Sequence, residues 1–261
     1  MLEINKIHHW DCLELMKQIP DNTIDLVVTS PPYDNLRDYN WYTFDFEGIA
    51  KQLLRVVKDW GTVVWIVWDA TVDWSETWSS FKQALYFKEI WFKLHDTMIR
   101  EKPHFSNPSS NRYHQIFEYM FILTKGKIKT FNPICDVPIK YGKPVGKSST
   151  RKKDWSIVNS EVKSHSKDFG ARKNVWKINT AGQENFWKKV LHPAQFSKQI
   201  AKDHVISWSN EGDIVLDPFM WSGTTAVVCI ETNRNFIGIE ISQEYVDIAN
   251  KRLQYTQVWL F

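Results

Sequence analysis

The sequence predicts an α/β fold, a mostly parallel sheet with helices on both faces, and three observations predict it. Short apolar, β-branched runs alternate along the chain with stretches whose apolar residues fall at helical spacing. The runs "TIDLVVTS" (23–30) and "GTVVWIVW" (61–68) are apolar at nearly every position, as strands covered on both faces are. Two runs end in conspicuous loops, "TSPPY" and "DPFMWSGTT", and open α/β sheets hold ligands at the carboxyl ends of their strands.

The elements follow in order. The first buried strand stops at Pro31-Pro32, which lack the N–H groups a ladder needs. "DFEGIAKQLLRVVKD" (45–59) has the spacing of an amphipathic helix, and 61–68 is the next strand. A helix near 79–91 and strands near 94–99 and 116–124 come next. From about 132 to 175 the chain is loop-rich, with few long apolar runs, and reads as an excursion from one domain spanning 1–261. The tail resumes with a helix at 195–208, the strand "DIVLDPF", a helix at 223–233, the strand "FIGIEI" and the helix "SQEYVDIANKRL". No internal repeat is visible.

Charge is unevenly spread. Between Lys140 and Lys173 ten Lys and Arg face Asp154, Glu161 and Asp168, and since the chain carries +3 in all, the remainder is net −4. Hydrophobic residues make up 43% and charged residues 24%, ordinary values for a globular protein, and no apolar run approaches the ~20 residues of a membrane span. The amino-terminal "MLEINKIHHWDCLEL" lacks the form of a signal peptide, so a cytoplasmic protein without a membrane partner is expected. Cys12, Cys135 and Cys229 are odd in number and widely spaced; they are expected to be buried, reduced thiols, with no disulfide framework and no metal site.

The loop "DPFMWSGTT" stands between a strand and a helix, and the strand after that helix ends in Glu240. An acidic residue about twenty positions beyond such a loop reads ribose hydroxyls in nucleotide-binding α/β folds. Asp217 and Glu240 therefore mark a nucleoside-like cofactor, although a helix-capping Glu240 or a dinucleotide enzyme fits this half equally well. "TSPPY" decides between them: it presents a hydroxyl, carbonyls held rigid by two prolines, and an aromatic ring in one stiff loop. Ser30 and the Pro31 carbonyl suit the hydrogens of an exocyclic amine, and Tyr33 suits the face of a base. The competing reading, a proline-rich strand terminus with a packed tyrosine, does not account for the cofactor loop in the same chain.

With "VTSPPY" at 28–33, "HPAQF" at 192–196, "DPFMWSGTT" at 217–225 and "NFIGIE" at 235–240, in that order, the chain resembles the amino-directed DNA methyltransferases over nearly its whole length. The order, catalytic loop before cofactor loop, is that of the permuted β type. The resemblance implies a Rossmann-like S-adenosylmethionine-dependent fold with a mostly parallel seven-stranded sheet. It implies that Asp217, Pro218, Phe219, Ser222, Gly223, Thr224 and Thr225 wall the methionine part of S-adenosylmethionine, that Glu240 binds its ribose, and that Asp11 lies near its adenine amine. Asp11 also reads as the N-cap of "CLELMKQI", and both roles are compatible. Ser30, Pro31, Pro32 and Tyr33 would form the catalytic loop, acting on a base flipped from double-stranded DNA, with no metal and no covalent nucleophile.

The basic segment falls where such enzymes keep their target-recognition region. Lys140, Lys143, Lys147, Arg151, Lys152, Lys153, Arg172 and Lys173 are the candidate DNA contacts, against the alternative of a solvated loop; Arg37, behind the catalytic loop, is a further candidate phosphate contact. In the family, serine at the first motif position goes more often with cytosine N4 and aspartate with adenine N6, so cytosine N4 is favoured here. A homodimer and a cognate restriction nuclease are the further partners that the family leaves open.

One departure runs through the motifs. Position 221 is glycine in the family loop, and Trp10, Trp41, Trp60, Trp68, Trp74, Trp78 and Trp91 also stand in contexts that read as glycine sites. Trp65, Trp176 and Trp208 instead lie in apolar-periodic contexts that suit an indole. Average usage predicts about 18 glycines in this length; the chain has 10, and the eight tryptophans would make up the difference. The sequence therefore raises two readings: glycine codons decoded as tryptophan, or a Trp221 that fills the cofactor pocket and leaves a DNA-binding protein without activity.

Overall fold

The computed structural model describes residues 1–32, 44–105, 110–139, 147–161, 168–179 and 196–258. Two compact units result, one of residues 1–132 and 174–261, the other of residues 133–173.

In the first unit the chain runs through β1 (Lys6–His9), α1 (Cys12–Met16), β2 (Ile24–Thr29), α2 (Phe46–Val56) and β3 (Val57–Val67). The hairpin β4 (Thr71–Val72) and β5 (Ser75–Glu76) leads into α3 (Ser79–Glu89), β6 (Lys93–Glu101) and β7 (Phe117–Thr124). The second unit holds two antiparallel pairs: β8 (Val137–Pro138) with β11 (Phe169–Gly170), and β9 (Lys147–Arg151) with β10 (Ile157–Glu161). The first unit resumes with β12 (Val175–Lys177), α4 (Lys198–Trp208), β13 (Ile214–Asp217), α5 (Thr224–Glu231), β14 (Asn235–Glu240) and α6 (Gln243–Val258).

The main sheet has the order β1-β14-β13-β2-β3-β7-β6-β12. Its pairs are parallel from β1 to β3, antiparallel on both sides of β7, and parallel between β6 and the three-residue edge strand β12. Side chains alternate between two apolar layers, as strand geometry requires. Leu26, Val28, Val64, Ile66 and Ile122 join the layer beneath α4, α5 and α6, whereas Val27, Val63, Trp65, Phe121 and Leu123 join the layer beneath α1, α2 and α3. This double coverage is why the strands read as continuous apolar runs.

Two boundaries differ from the sequence expectation for physical reasons. The helix expected over 45–59 ends at Val56, because Val57 already pairs with Ile24 of the neighbouring strand. The strand expected through Phe219 ends at Asp217, since Pro218 has no N–H to donate. Asp45 and Ser197 cap α2 and α4 through bonds from Gly48 N–H (2.9 Å) and Ile200 N–H (3.4 Å). Cys12 and Cys229 are buried as expected, but Cys135 is exposed, in a segment of the second unit that has too few apolar neighbours to cover it.

Trp65, Trp176 and Trp208 are core residues. Around the last two sits His204, fully buried on α4: its Nδ1 accepts from Trp208 Nε1 (3.3 Å) and its ring lies 4.7 Å from that of Trp176. Burial pushes this imidazole down to about 3. The folded chain thus keeps His204 neutral while the unfolded chain takes up a proton near pH 6.5, so its contribution is complete above that value and is lost as pH falls towards 3. His204→Phe is expected to remove this term. Below pH 6.5 the urea-derived stability of the original chain should drop relative to the variant by about 1.4 kcal/mol per pH unit, and parallel profiles would disprove the assignment.

Candidate functional site

Four neighbouring parallel strands, β1, β14, β13 and β2, bring four carboxyl ends to one edge of the sheet. His9 stands in register with Glu240, Asp217 with Gly238, and Leu216 with Val27. Asp11, Glu240, the 217–223 loop and the Thr29–Pro32 strand end, far apart in the chain, therefore share one rim.

Asp217 is buried at the centre. Its Oδ1 accepts from Thr29 Oγ1 (2.7 Å) and Phe219 N–H (3.1 Å), and its Oδ2 from Thr225 Oγ1 (2.7 Å). One carboxylate thus joins the end of β2, the loop after β13 and the first turn of α5. Burial pushes its carboxyl up to about 7, against the pull of these three donors. Glu240, also buried, accepts from Trp221 N–H (2.8 Å) and Ser242 N–H (3.0 Å), and burial raises its carboxyl as well. Asp11 caps α1 by accepting from Glu14 N–H (3.1 Å), the capping role the sequence allowed.

The loop turns between Met220 and Gly223, closed by a bond from Gly223 N–H to the Met220 carbonyl (2.9 Å). Gly223 caps α5 at φ 80°, and a Cβ there would lie 2.7 Å from the Ala249 Cβ of α6, so both conformation and space demand glycine. Ser222, Thr224 and Thr225 are buried with their hydroxyls engaged internally: Thr225 on Asp217, and Ser222 and Thr224 as acceptors from Arg252 Nη1 (2.8 and 3.3 Å). Pro218 is buried and Phe219 half-buried, the latter against Phe44 (ring centroids 5.8 Å apart). Trp221 has φ 48°, and its Nε1–H donates to the Ser30 carbonyl at 3.1 Å, placing the indole between the two loops.

Of the sequence candidates, Ser30, Pro31, Pro32, Asp11, Asp217, Pro218, Phe219, Ser222, Gly223, Thr224, Thr225 and Glu240 lie along this rim. Tyr33, Arg37, Lys140, Lys143 and residues 192–195 of "HPAQF" fall outside the described residues. In the second unit Lys147 belongs to β9, Arg151 ends that strand, Lys152 and Lys153 form the following turn, and Lys173 is exposed. Arg172 is held by Asp136 in an ion pair, which the charge count from 140 onward could not include. Sequence reasoning missed Thr29 and Arg252. Thr29 was visible as the residue before Ser30 in "VTSPPY", and Arg252 was masked by its place in an ordinary helix 30 positions from Ser222. Among the described residues no three His, Cys, Asp or Glu are grouped for a metal ion.

Residues 24–251 match the family model described as DNA methylase, of the N6 and N4 type. The chain is 54% identical over 244 residues to the orphan methyltransferase M.BamHII of Bacillus amyloliquefaciens, covering 92% of each. It is 31% identical over 261 residues to the type II methyltransferase M.BglII of Bacillus subtilis, covering 94% of this chain and 68% of that protein. The structure of M1.HpyAVI in complex with SAM superposes with a TM-score of 0.61 at 26% identity, covering 95% of this chain and 99% of that one.

Asp217→Ala would leave three buried donors without their acceptor, each costing about 1–3 kcal/mol. Urea unfolding should show a loss of at least about 3 kcal/mol, against about 1 kcal/mol each for Thr29→Val and Thr225→Val. A loss no greater than that of the threonine variants would remove Asp217 from the centre of the rim.

Proposed function

Because the chain belongs to the DNA methylase family, we propose that it methylates the exocyclic amine of a base flipped out of double-stranded DNA, with cytosine N4 as the acceptor. The observation that carries this reading is the parallel pairing of β2 with β13, which sets the Ser30-Pro31 strand end beside the Asp217–Gly223 loop. A donor held by one loop and an amine held by the other would meet across a single strand spacing, which is the positioning such a transfer needs.

S-adenosylmethionine supplies the methyl group as an activated sulfonium substituent. The acceptors at Asp11 and Glu240 fit such a cofactor, with its ribose hydroxyls and adenine amine. The indole of Trp221 does not, because it stands between the two loops and bonds to the Ser30 carbonyl. Thr29, Thr225 and Arg252 would hold the loops in place, through Asp217 and through Ser222 and Thr224.

On the acceptor side, Ser30 Oγ and the Pro31 carbonyl would accept hydrogen bonds from the target amine. These bonds shift electron density towards the nitrogen as it attacks and its proton leaves. Tyr33 would stack on the base and offset part of the flipping cost, about a few kcal/mol. The second unit, with Arg151, Lys152, Lys153 and Lys173, would contact phosphates and base edges, as would Lys140, Lys143 and Lys147. The name of the 54% identical relative, an orphan methyltransferase, favours an enzyme that works without a dedicated nuclease.

A second reading, a DNA-binding protein with the same fold and an obstructed cofactor site, is favoured by the indole alone. Incubation with labelled S-adenosylmethionine and mixed DNA separates the two, with N4-methylcytosine as the expected labelled nucleoside. N6-methyladenine would reassign the acceptor. Ser30→Ala and Tyr33→Ala should each lower transfer by about 100-fold or more with cofactor binding unchanged, and full turnover in both would refute the catalytic loop.

A further inference from the structure

Nine non-glycine residues of the described chain have a positive φ, and five of them are tryptophan: Trp74 (68°), Trp78 (54°), Trp91 (83°), Trp155 (65°) and Trp221 (48°). The other four are Asn5, Asn22, Asp73 and Asn233, the types that tolerate this region. No Phe or Tyr of the described residues is among them. Bulk and aromaticity therefore do not explain the set.

Each of the five occupies a place that backbone geometry reserves for glycine. Asp73-Trp74 forms the two-residue loop of the β4–β5 hairpin, with Val72 paired to Ser75 and both loop residues at positive φ; this is the type I′ turn that favours Asp-Gly. Trp78 stands at the N-cap of α3 with no side-chain acceptor to offer. At the other end of α3, Trp91 N–H bonds to the Lys88 carbonyl (3.2 Å) and Phe92 N–H to that of Phe87 (2.9 Å). The Phe87 and Phe92 rings lie 5.5 Å apart. Those two bonds and that contact are the Schellman motif, whose left-handed residue is usually glycine. Trp155 N–H bonds to the Lys152 carbonyl (3.0 Å) at the end of the β9–β10 loop, the left-handed position after a type I turn. Trp221 is the first central residue of the Met220–Gly223 turn, with positive φ there and not at Ser222, the pattern of a type II′ turn.

Exposure sets four of the five apart from the three core tryptophans. Trp74, Trp78, Trp91 and Trp155 expose 84, 60, 85 and 76% of their surface, whereas Trp65, Trp176 and Trp208, on ordinary backbone, expose 0, 5 and 5%. One group fills the core and the other stands in solvent on strained backbone.

We infer that the protein made in its own cells carries glycine at positions 74, 78, 91, 155 and 221, a UGA codon that the source reads as glycine having been decoded as tryptophan. Trp155 joins the set through its backbone alone, its sequence context having given no sign. Trp10, Trp60 and Trp68 have backbone that any residue adopts, so geometry assigns nothing there, and Trp41 lies outside the described residues. At position 221 the consequence reaches the site. Glycine there removes the indole between the two loops and its bond to the Ser30 carbonyl, and gives the form that binds S-adenosylmethionine. This last clause rests on the methyltransferase reading; the other four positions do not.

Codons and peptide masses test the assignment directly. Positions 74, 78, 91, 155 and 221 should share a codon absent from 65, 176 and 208, and peptides of the protein from its source cells should carry glycine at the five. Tryptophan in those peptides, or UGG throughout, overturns the inference. Thermal unfolding tests the backbone argument in the recombinant chain: Trp91→Gly should raise the midpoint by about 2–4 °C, and Trp91→Ala, which keeps a Cβ in the left-handed region, should fall below Trp91→Gly. An alanine variant at least as stable as the glycine variant overturns it. Calorimetry with S-adenosylmethionine should show Trp221→Gly binding at least about tenfold tighter than the chain with tryptophan. Equal binding would mean that the indole does not close the site, whereas no binding by either chain, with glycine found in the source peptides, would sink the methyltransferase reading and leave the glycine assignment standing.

Discussion

The rim of the sheet depends on one buried carboxylate. Asp217 ends β13, yet the groups that satisfy it come from Thr29 at the end of β2, from Phe219 in its own loop and from Thr225 on α5. A carboxylate out of water costs several kcal/mol unless its lone pairs are filled, so these elements are held together by the cost of separating them. Parallel pairing of β2 and β13 brings them close enough, and the hydrogen bonds then fix how the two loops face each other. Arg252 repeats the device from α6, where one guanidinium nitrogen gathers the hydroxyls of Ser222 and Thr224. The loop is thus fixed from beneath and from the side, while its backbone carries the turn.

Much of this was legible in the sequence because local pattern and burial agree. Strands β2 and β3 are apolar at successive positions since both their faces are covered, and the loops after β2 and β13 stand out because proline, aspartate and glycine interrupt those runs. Trp65, Trp176 and Trp208 were recognisable as core residues from their neighbours. The insertion of β13 between β14 and β2 was not legible, because periodicity records what a residue packs against and not which strand lies beside it. For the same reason Arg252 escaped notice, its partners lying about thirty positions earlier. Trp155 was hidden by its surroundings: "KKDWS" is dominated by charge, and the turn that requires a left-handed residue appears only when β9 pairs with β10.

The two ends of α3 show how strictly backbone geometry constrains residue type. At its amino end the capping residue ordinarily offers a short side-chain acceptor or no side chain, and an indole offers neither advantage. At its carboxyl end the left-handed residue lets two N–H groups turn back to carbonyls that would otherwise lack partners. Both needs are met by the main chain whatever side chain is attached, so the fold can form around tryptophan at these points. What tryptophan adds is steric strain between Cβ and carbonyl and apolar surface in water, against one ring contact, that of Trp78 with Phe81.

Position 221 differs from the other four because its indole N–H donates to a carbonyl of the neighbouring loop. The Ser30 carbonyl accepts from the indole and lies one residue from the Pro31 carbonyl, which the proposed reading gives to the target amine, so on that reading the indole would stand in the way of the transfer. The bond also ties the Ser30 loop to the 217–223 loop, an arrangement that would resist their separation. Glycine at this point satisfies the same turn: the Trp221 N–H to Glu240 bond and the Gly223 N–H to Met220 bond are main-chain donations that survive loss of the side chain. The loop's shape is therefore independent of the indole, and the indole's effect falls on the gap between the loops. A side chain that its loop's turn does not need, standing on the rim where the four strand ends meet, is better understood as foreign to the rim than as part of its design.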